Sequence, residues 1–430
     1  MFKFLLIVAA YLPFQIALNP QPGIDLASIR LIILGWFLSW LVWAFWKKKI
    51  FEFNLSWVGL FLALFLFLAT FSLTDAANPV WGMRKVVFFG SVFPLYFLSL
   101  VALNNLEQVK KIKIILVLGS CLIALIGLFQ FLAQFIFSFD QIFKFWAQYV
   151  VTIFSGQGFG SMLLSYPSWL VDVGFTNWLR AFSLFSDPHM LSFYLGLLLP
   201  LSLSLVFLTR FKKTFVSLSG FLFLALLLAF TRGSYLAVGF SFLVLAVFLW
   251  QYFSKKKAAL ILIGLLFVFL VPGQPFSYRF YTTFDFKEES NVGRLEMWQE
   301  ATQVAQKNIF LGVGLGNYSV EIEPELGYRN PTSAHNLYLD IFSEIGLFGL
   351  IAWLSIFIGL LYKLWLRIKD KGLLYEQRIM AWGLFGSLLY YLAHSIFETS
   401  VYHPVILPLL MIILSMSYVV SQKKQSKKYF

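Results

Sequence analysis

Long apolar stretches, separated by short polar connections, recur along this chain of 430 residues from one end to the other. A helix that crosses a bilayer needs about 20 consecutive, mostly apolar residues, and many of these stretches are close to that length. They are continuous, whereas the strands of a membrane β-barrel alternate apolar and polar positions. The pattern therefore predicts an all-α integral membrane protein, organised as a single polytopic domain over residues 1–430.

About 12 of these stretches are predicted transmembrane spans. The tenth is the longest, and we expect it to be broken near Gly346 and Gly349. The first is interpreted as a retained helix, because no small-residue cleavage site of a signal peptide follows it. The predicted spans are residues 4–19, 28–46, 55–74, 86–103, 114–137, 189–208, 215–230, 235–252, 258–272, 336–362, 379–396 and 404–421.

Composition and charge agree with a membrane protein. Hydrophobic residues make up 60% of the chain and charged residues 12%, and the mean hydropathy is +0.80. The net charge is +13, but most of the basic residues lie at the termini or in short connections such as 47–49, 110–113 and 255–257. The positive-inside rule makes these connections and both termini cytoplasmic. The excess of basic over acidic residues therefore reflects membrane topology and contact with anionic lipid, and we predict no nucleic-acid partner.

The same topology places two long segments, residues 138–188 and 273–335, on the extracytoplasmic side of the membrane. The first is aromatic, and we expect it to lie on the membrane interface. The second is polar and contains an amphipathic stretch at 293–307, so it predicts an extracytoplasmic helical cap. The single cysteine, Cys121, lies in a predicted span and is expected to be a small core residue.

Polar side chains form a stripe on the helix predicted to follow His335. Asn336, Asp340, Ser343 and Glu344 have the spacing of residues on one helix face. Ionisable groups in a membrane helix face the bundle interior or a wet cavity, and they indicate a functional site. His335 lies at the start of this helix, and an imidazole titrates near neutral pH, which suits a general base. A capping or interfacial role for His335 is the alternative.

Three arginines are predicted on the same side of the membrane as His335. Arg232 lies in a very short turn between two spans, Arg294 opens the amphipathic helix, and Arg180 precedes the sixth span. A guanidinium matches phosphate geometry bidentately, and an anion at Arg294 would also meet the exposed N–H groups of the helix N-terminus. The arrangement suits a clamp for phosphate groups. Interfacial snorkelling towards lipid headgroups is the alternative for each arginine.

Weaker signals flank these residues. Asp187 and Pro188 predict a helix N-cap followed by proline at the first helical position. His394, Glu398 and His403 form a second polar group, for which structural or interfacial roles are favoured. The histidines lack the spacing of common metal sites, so we predict no metal site.

Several short elements lie between residues 175 and 350. They are His335-Asn336 followed after nine residues by Gly346-x-x-Gly349, Arg232 with Leu236, Gly293-Arg294 with Trp298, the motif Gly312-x-Gly314-x-Gly316, and the stretch 180–188. Together they resemble the pattern of the bacterial O-antigen ligase and polymerase family. The resemblance implies an all-helical, GT-C-like glycosyltransferase with about 12 transmembrane helices.

The resemblance also implies a reaction on the outer face of the bacterial cytoplasmic membrane. Family members transfer a glycan from an undecaprenyl-diphosphate carrier to an acceptor hydroxyl, without a metal or a nucleotide cofactor. We therefore predict an inverting transfer in which His335 is the catalytic base. Arg232, Arg294 and Arg180 are the predicted diphosphate-binding residues.

Five further residues are predicted to support this site: Asn336, Asp340, Glu344, Gly346 and Gly349. Asn336 or Asp340 is expected to orient the imidazole or to hold the acceptor. The expected acceptor is the lipid A core, as in O-antigen ligases, and a polymerase that joins lipid-linked repeat units is the alternative. A transporter or flippase of lipid-linked glycan is the main alternative of another class, although no internal repeats favour it. A non-enzymatic scaffold would not explain the shared placement of the histidine and the arginines.

Overall fold

In the computed structural model, the described residues are 1–21, 24–48, 55–163, 169–174, 176–249, 275–325 and 332–422. Over these ranges the chain is mostly helical, with two small antiparallel hairpins. The ninth predicted span, 258–272, lies outside the described residues, as do the basic clusters at 255–257 and 423–428. Elsewhere, each predicted span coincides wholly or partly with a helix.

Two hairpins interrupt the helices. Strands β1 (Ala17–Gln21) and β2 (Ile24–Ala27) form the first, and β3 (Leu170–Asp172) and β4 (Asn177–Leu179) form the second. The helices are α1 (Phe2–Tyr11), α2 (Ser28–Trp46), α3 (Trp57–Phe71), α4 (Pro79–Val92), α5 (Pro94–Ala102), α6 (Leu106–Ala133), α7 (Phe139–Phe145), α8 (Val151–Phe154), α9 (Gln157–Leu163), α10 (Pro188–Leu208), α11 (Lys212–Leu228), α12 (Arg232–Leu249), α13 (Pro275–Tyr281), α14 (Glu289–Lys307), α15 (Tyr318–Ile322), α16 (Leu337–Lys369), α17 (Tyr375–His394) and α18 (Ile406–Ser421).

Within the described residues, six helices are long and apolar enough to cross a membrane. They are Ser28–Trp46, Trp57–Asp75, Pro79–Ala102, Leu106–Ala133, Pro188–Leu208 and Leu337–Lys369. The helices Phe2–Phe14, Arg232–Ala246 and Ile406–Ser421 are apolar but shorter. These helices identify the chain as a multi-pass membrane protein.

Helix α10 forms the centre of the bundle. In its most apolar window, 89% of the residues are buried, compared with 28% for α2 at the periphery. Small residues let neighbouring helices approach, as is common between membrane helices. Gly196 of α10 faces Tyr390 of α17 so closely that a Cβ there would lie 1.9 Å from the ring. The Tyr390 hydroxyl donates to the carbonyl oxygen of Ser192 at 2.8 Å, which ties α17 to α10.

The predicted first span, 4–19, is wrong in its second half. Helix α1 ends at Tyr11 and is followed by a 3₁₀ turn at Leu12–Phe14, which contains Pro13. Proline has no N–H to continue the helical hydrogen bonds. The chain then forms β1, which pairs with β2.

The start of the predicted fifth span, 114–137, is also wrong. Helix α6 begins earlier, at Leu106, and is capped by the Asn105 side chain. Lys113, predicted to lie in a cytoplasmic connection, is therefore a buried helical residue with 0% exposure. Its Nζ donates to the hydroxyl of Ser204 at 2.5 Å, because a buried ammonium group requires a polar partner.

The segment 138–188 has structure of its own. It contains α7 to α9 and the β3–β4 hairpin. The Trp169 ring is fully buried, stacks on Phe182 with a centroid distance of 3.9 Å, and donates from Nε1 to the carbonyl oxygen of Ser186. Tyr149 is 61% exposed on the same segment. Its position on the membrane interface stays a prediction.

Candidate active site at the start of helix α16

His335 immediately precedes the cap of α16 and is paired with Glu398, in the loop after α17. Its Nδ1 lies 2.9 Å from Oε1 and 3.0 Å from Oε2 of Glu398. The His335 side chain is 42% exposed, whereas that of Glu398 is 8% exposed. With Nδ1 donating to the carboxylate, Nε2 is the nitrogen left to accept a proton.

The backbone at His335 is unusual for a residue with a side chain. Its φ is 46°, in the left-handed region that residues other than glycine rarely occupy. Such conformations cost free energy and are found mainly where the surrounding structure holds them, often at functional sites.

The charges of His335 and Glu398 stabilise each other. Glu398 raises the pKa of His335 above its ordinary value, against the opposing effect of burial. Burial acts to raise the pKa of Glu398, but the neighbouring His335, His189 and Arg294 together hold it below its usual range. Glu398 is therefore an ionised partner that strengthens the basicity of the imidazole.

Among the described residues, no hydrogen bond joins Asn336 or Asp340 to the imidazole, so neither orients it through such a bond, and the expectation that one of them holds the acceptor stays a prediction. The Asn336 side chain caps α16 by accepting from the N–H groups of Tyr338 and Leu339 at 3.0 and 3.2 Å. Asp340 accepts from the N–H of Ala334 at 2.9 Å and from the Thr399 hydroxyl. Asp340 thus holds Ala334 and Thr399, which are the chain neighbours of His335 and Glu398.

The predicted polar stripe is confirmed as a buried face of α16. Asn336, Asp340, Ser343 and Glu344 are all 7% exposed or less. Each of the four side chains takes part in a hydrogen bond, which accounts for their burial in an apolar bundle.

Glu344 has a cationic partner that the sequence analysis did not identify. Lys85 of α4 places Nζ 3.0 Å from Glu344 Oε1, and the Tyr402 hydroxyl donates to Oε2 at 2.9 Å. The same ammonium group lies 4.1 Å from the centre of the Tyr402 ring. The three side chains tie α4 and the loop before α18 to α16.

The predicted break in α16 is confirmed at Gly346, where φ is 77° and ψ is −173°. The break frees carbonyl groups that a neighbouring loop satisfies. The N–H of Val313 donates to Ser343 O at 2.8 Å, and that of Gly314 donates to Glu344 O at 3.0 Å. The glycine-rich loop before the site therefore docks on the broken turn.

Close contacts explain the glycines at positions 346, 312 and 349 of the two motifs. A Cβ on Gly346 would lie 2.2 Å from the carbonyl oxygen of Phe310, and its φ is one that favours glycine. A Cβ on Gly312, where φ is 69°, would lie 2.4 Å from the main chain of the broken turn. Gly349 faces the Ile345 side chain, which a Cβ would approach to 2.4 Å.

Arg232, the first residue of α12, is held by the segment before α14 and by the first turn of α14. Its Nη1 donates to Glu288 Oε2 at 2.6 Å and to Thr282 O at 3.1 Å, and its Nη2 donates to the Ser290 hydroxyl at 2.8 Å. The Arg232 side chain is 10% exposed. The guanidinium already binds a carboxylate, so the position suits an anion.

Arg294 lies next to the His335–Glu398 pair. Helix α14 begins at Glu289, so the expectation that Arg294 opens this helix and shares an anion with its free N–H groups is wrong. The Nη1 of Arg294 donates to the carbonyl oxygen of Phe397. Burial lowers the pKa of Arg294, while the negative charge of Glu398 raises it.

Arg180 is buried against the turn that joins α11 to α12. It is 4% exposed, and it donates from Nε to Ala229 O and from Nη2 to the Thr231 hydroxyl, both at 2.9 Å. Burial and the neighbouring Arg279 lower the pKa of Arg180 to about 9. The contacts show Arg180 bracing the turn that presents Arg232.

Two residues near Glu398 complete the surroundings. The predicted N-cap is confirmed, because the Asp187 side chain accepts from the N–H of Met190 at 3.0 Å and Pro188 follows it. His189 places Nδ1 3.6 Å from Glu398 Oε2. Among the described residues, no group of three or more His, Cys, Asp or Glu side chains is placed to hold a metal ion.

Glu398 was predicted to belong to a separate polar group with His394 and His403, and the structure corrects this by pairing it with His335. A carboxylate just after a predicted span was a visible signal, but nothing local related it to His335. Lys85 and Arg279 were not predicted as site residues. Lys85 directly precedes a predicted span and Arg279 lies in the polar segment 273–335, and basic residues are common in both places.

Part of the chain that carries these residues is similar to known proteins. Residues 217–354 match the family model described as O-antigen ligase. This range includes Arg232, Arg294, His335 and the broken part of α16, but not Arg180 or Glu398. The chain is also similar to the teichuronic acid biosynthesis protein TuaE of Bacillus subtilis (strain 168), with 28% identity over 114 residues. That alignment spans 26% of this chain and only 23% of the relative.

Proposed function

We propose, from the similarity of residues 217–354 to the O-antigen ligase family model and of part of the chain to a teichuronic acid biosynthesis protein, that this membrane protein transfers a glycan from undecaprenyl diphosphate to an acceptor hydroxyl. The observation that carries the proposal is the His335–Glu398 pair with Arg294 beside it. Such a transfer needs a base for the acceptor and positive charge for the leaving diphosphate. Both are present within one cluster of side chains.

His335 acts as the catalytic base in this proposal. Glu398 binds Nδ1, so Nε2 takes the proton of the acceptor hydroxyl as its oxygen attacks the anomeric carbon. The bond between that carbon and the diphosphate oxygen breaks, and its electron pair leaves with undecaprenyl diphosphate. A single direct displacement inverts the configuration of the anomeric carbon.

Arg232 and Arg294 stabilise the diphosphate as negative charge builds on it. A guanidinium can bind a phosphate through two parallel hydrogen bonds, and it supplies positive charge without a metal or a nucleotide cofactor. In the structure, the guanidinium of Arg232 donates to the carboxylate of Glu288, and the diphosphate replaces this carboxylate when the donor binds. Arg180 supports the turn that carries Arg232, with Asn336, Asp340, Glu344, Gly346 and Gly349 shaping the site around His335.

The site faces outward from the bacterial cytoplasmic membrane in this proposal, with both termini in the cytoplasm. The distribution of basic residues supports this orientation. The segment 273–335 then forms the extracytoplasmic cap, and membrane lipids surround the apolar helices.

The first candidate for the acceptor is a lipid A core sugar, which would make the protein an O-antigen ligase. The second candidate is another lipid-linked repeat unit, which would make it a polymerase. Its relative is named as a teichuronic acid biosynthesis protein, which supports a role in polysaccharide biosynthesis. The matched family does not favour the transporter alternative.

The first test is complementation of a deletion strain whose surface glycan is visible on a gel. His335→Ala should reduce glycan transfer by about 10² to 10⁴-fold at unchanged protein level, the usual contribution of acid–base catalysis. Arg232→Lys should also reduce transfer, because lysine cannot bind phosphate bidentately. Arg210→Lys, at an exposed position outside the site, is the matched control.

Normal glycan in both site variants would contradict the proposed function. The glycan that accumulates on the carrier in the deletion strain separates the two acceptors. Long chains on the carrier indicate a ligase, and single repeat units indicate a polymerase.

A further inference from the structure

The turn at residues 229–232 brings arginines from three parts of the chain together. Arg180 donates to Ala229 O, and Arg279 of α13 donates from Nε to the next carbonyl oxygen, that of Phe230, at 3.3 Å. Arg232 itself begins the following helix. Phe230 has a φ of 47°, a left-handed conformation that sets the direction of its carbonyl. One strained turn therefore anchors two arginines and presents a third.

Arg180 and Arg279 use this turn differently. Arg180 is almost fully buried and donates from both Nε and Nη2 to the turn. Arg279 is half-buried and is attached through Nε. In the part of the chain that the structure describes, its two terminal amino groups show no hydrogen bond to protein. Through these two groups a guanidinium binds a phosphate in the bidentate manner.

Arg279 also lies close to other positive charges. Burial, followed by the positive charge of Arg232, lowers its pKa to about 10, while the nearby Glu288 raises it. Arg294 is near enough to lower the pKa further. Gathering like charges in a partly buried place costs free energy, unless an anion with more than one negative charge binds among them.

The acidic groups nearby are already engaged. Glu288 binds Arg232, and Glu398 binds His335. The carboxylate of Glu288 binds Arg232, which shows that the cluster accepts an anion, and no described residue accepts a hydrogen bond from the terminal amino groups of Arg279. A diphosphate has two groups of oxygen atoms and the charge to match several guanidinium groups.

We propose that Arg279 is a further diphosphate-binding residue, which binds the donor together with Arg232 and Arg294 through its two terminal amino groups. The inference rests on the proposed function, because it concerns the same donor site. Helix α13, which carries Arg279, would then take part in binding the donor.

The test uses the full-length protein in lipid nanodiscs and inorganic pyrophosphate as the probe. A ligand that binds the folded state raises the unfolding temperature by an amount that grows with the logarithm of its affinity, whereas the unfolding temperature without ligand reports any structural damage. Arg279→Gln should keep the ligand-free unfolding temperature near that of the wild type. It should weaken pyrophosphate binding by about tenfold to a hundredfold, the usual effect of losing a charge-assisted hydrogen bond.

Lys287→Gln is the matched control. Lys287 is an exposed cation in the same segment, so its loss changes the net charge by the same amount without removing a ligand. It should change the pyrophosphate affinity by less than about twofold, because exposed charges are screened. If Arg279→Gln does not fold, Arg279→Lys replaces it, and the loss of bidentate geometry should still weaken binding.

Wild-type affinity in a folded Arg279 variant would overturn the role of Arg279 and leave the proposed function standing. Equal weakening by Lys287→Gln would also overturn it, since net charge alone would then explain the effect. Absence of pyrophosphate binding by the wild-type protein would overturn the inference together with the diphosphate site of the proposed function.

Discussion

Helix α16 has two parts that differ in chemistry, joined at Gly346. In the first part, Asp340, Ser343 and Glu344 are buried and hydrogen-bonded to residues of other segments or to their own turn. In the second part, the buried residues are mainly apolar, such as Trp353. Both parts belong to one apolar span, so hydropathy does not separate them.

The difference shows how the protein keeps ionisable groups inside an apolar bundle. Each buried carboxylate of the first part has a partner supplied by tertiary structure: Thr399 for Asp340 and Lys85 for Glu344. The second part needs only complementary apolar surfaces. We therefore expect the first part to be sensitive to changes of single atoms or charges, and the second part to be tolerant of them.

The largest expected effect is that of Gly346→Ala. Alanine is strained at this φ and ψ, and its Cβ would meet the carbonyl oxygen of Phe310. We expect a loss of about 3 kcal/mol or more in the free energy of unfolding, and little active protein in membranes. Gly239→Ala on α12 is the control, because a Cβ there meets nothing within 4 Å. Similar membrane levels of the two variants would contradict the steric argument.

Removal of the cation at Glu344 is the next largest effect. Lys85→Met leaves a carboxylate that is 6% exposed without its ammonium partner, which should cost about 3 kcal/mol of stability. Lys363→Met, in the second part of α16, removes only a contact of 4.9 Å with the Trp57 ring and should cost about 1 kcal/mol or less. Thermal unfolding in nanodiscs measures both. Adding Glu344→Gln to Lys85→Met should recover part of the loss, and no recovery would argue against the ion pair.

The pH dependence of transfer should shift when Glu398 is neutralised. His335 accepts a proton only when it is neutral, so transfer rises with pH through the pKa of His335. Glu398, and to a smaller extent Asp340, raise this pKa, while burial and Arg294 lower it. Glu398→Gln should therefore move the acidic limb of the kcat/KM profile to lower pH and also lower the maximal rate, because the base is weaker. An unchanged acidic limb would show that another group controls it.

The smallest expected effect comes from a matched pair of serines. Ser343 Oγ donates to Asp340 O at 3.2 Å in the first part, and Ser355 Oγ donates to Ile351 O at 2.7 Å in the second. Ser343→Ala should cost about 1 kcal/mol because the buried turn next to the break loses a polar contact, and Ser355→Ala should be close to neutral. If Ser343→Ala and Ser355→Ala lower the unfolding temperature equally, the two parts of α16 do not differ in their sensitivity to the loss of one hydroxyl group.

The helices could be predicted because hydropathy is a local property. The start of α10 was also predictable. The aspartate side chain accepts from an N–H group of the first turn, and proline at the first helical position has no N–H group that needs a partner. The first span was predicted too long because its second half is apolar enough for a helix but pairs as a strand with β2. Lys113 was misplaced because its partner, Ser204, belongs to another helix.

The candidate site was predictable only in part. His335, the polar stripe and the glycine spacing are visible along the chain, because they lie within one turn or on one helix face. Glu398 lies 63 residues after His335, and only the packing of α16 against α17 brings the two side chains together. The approach of Lys85 to Glu344 likewise depends on tertiary structure, which brings residues 259 positions apart within reach of each other.

The amino-acid sequence by itself determined a helical membrane protein with a polar stripe after His335 and a break at Gly346, since hydropathy, helix periodicity and glycine conformation act over neighbouring residues. The tertiary structure alone decided which ionisable groups meet. It paired His335 with Glu398 and Glu344 with Lys85, and it gathered Arg232, Arg279 and Arg294, because charges far apart in the chain interact only when packing brings them within a few ångströms.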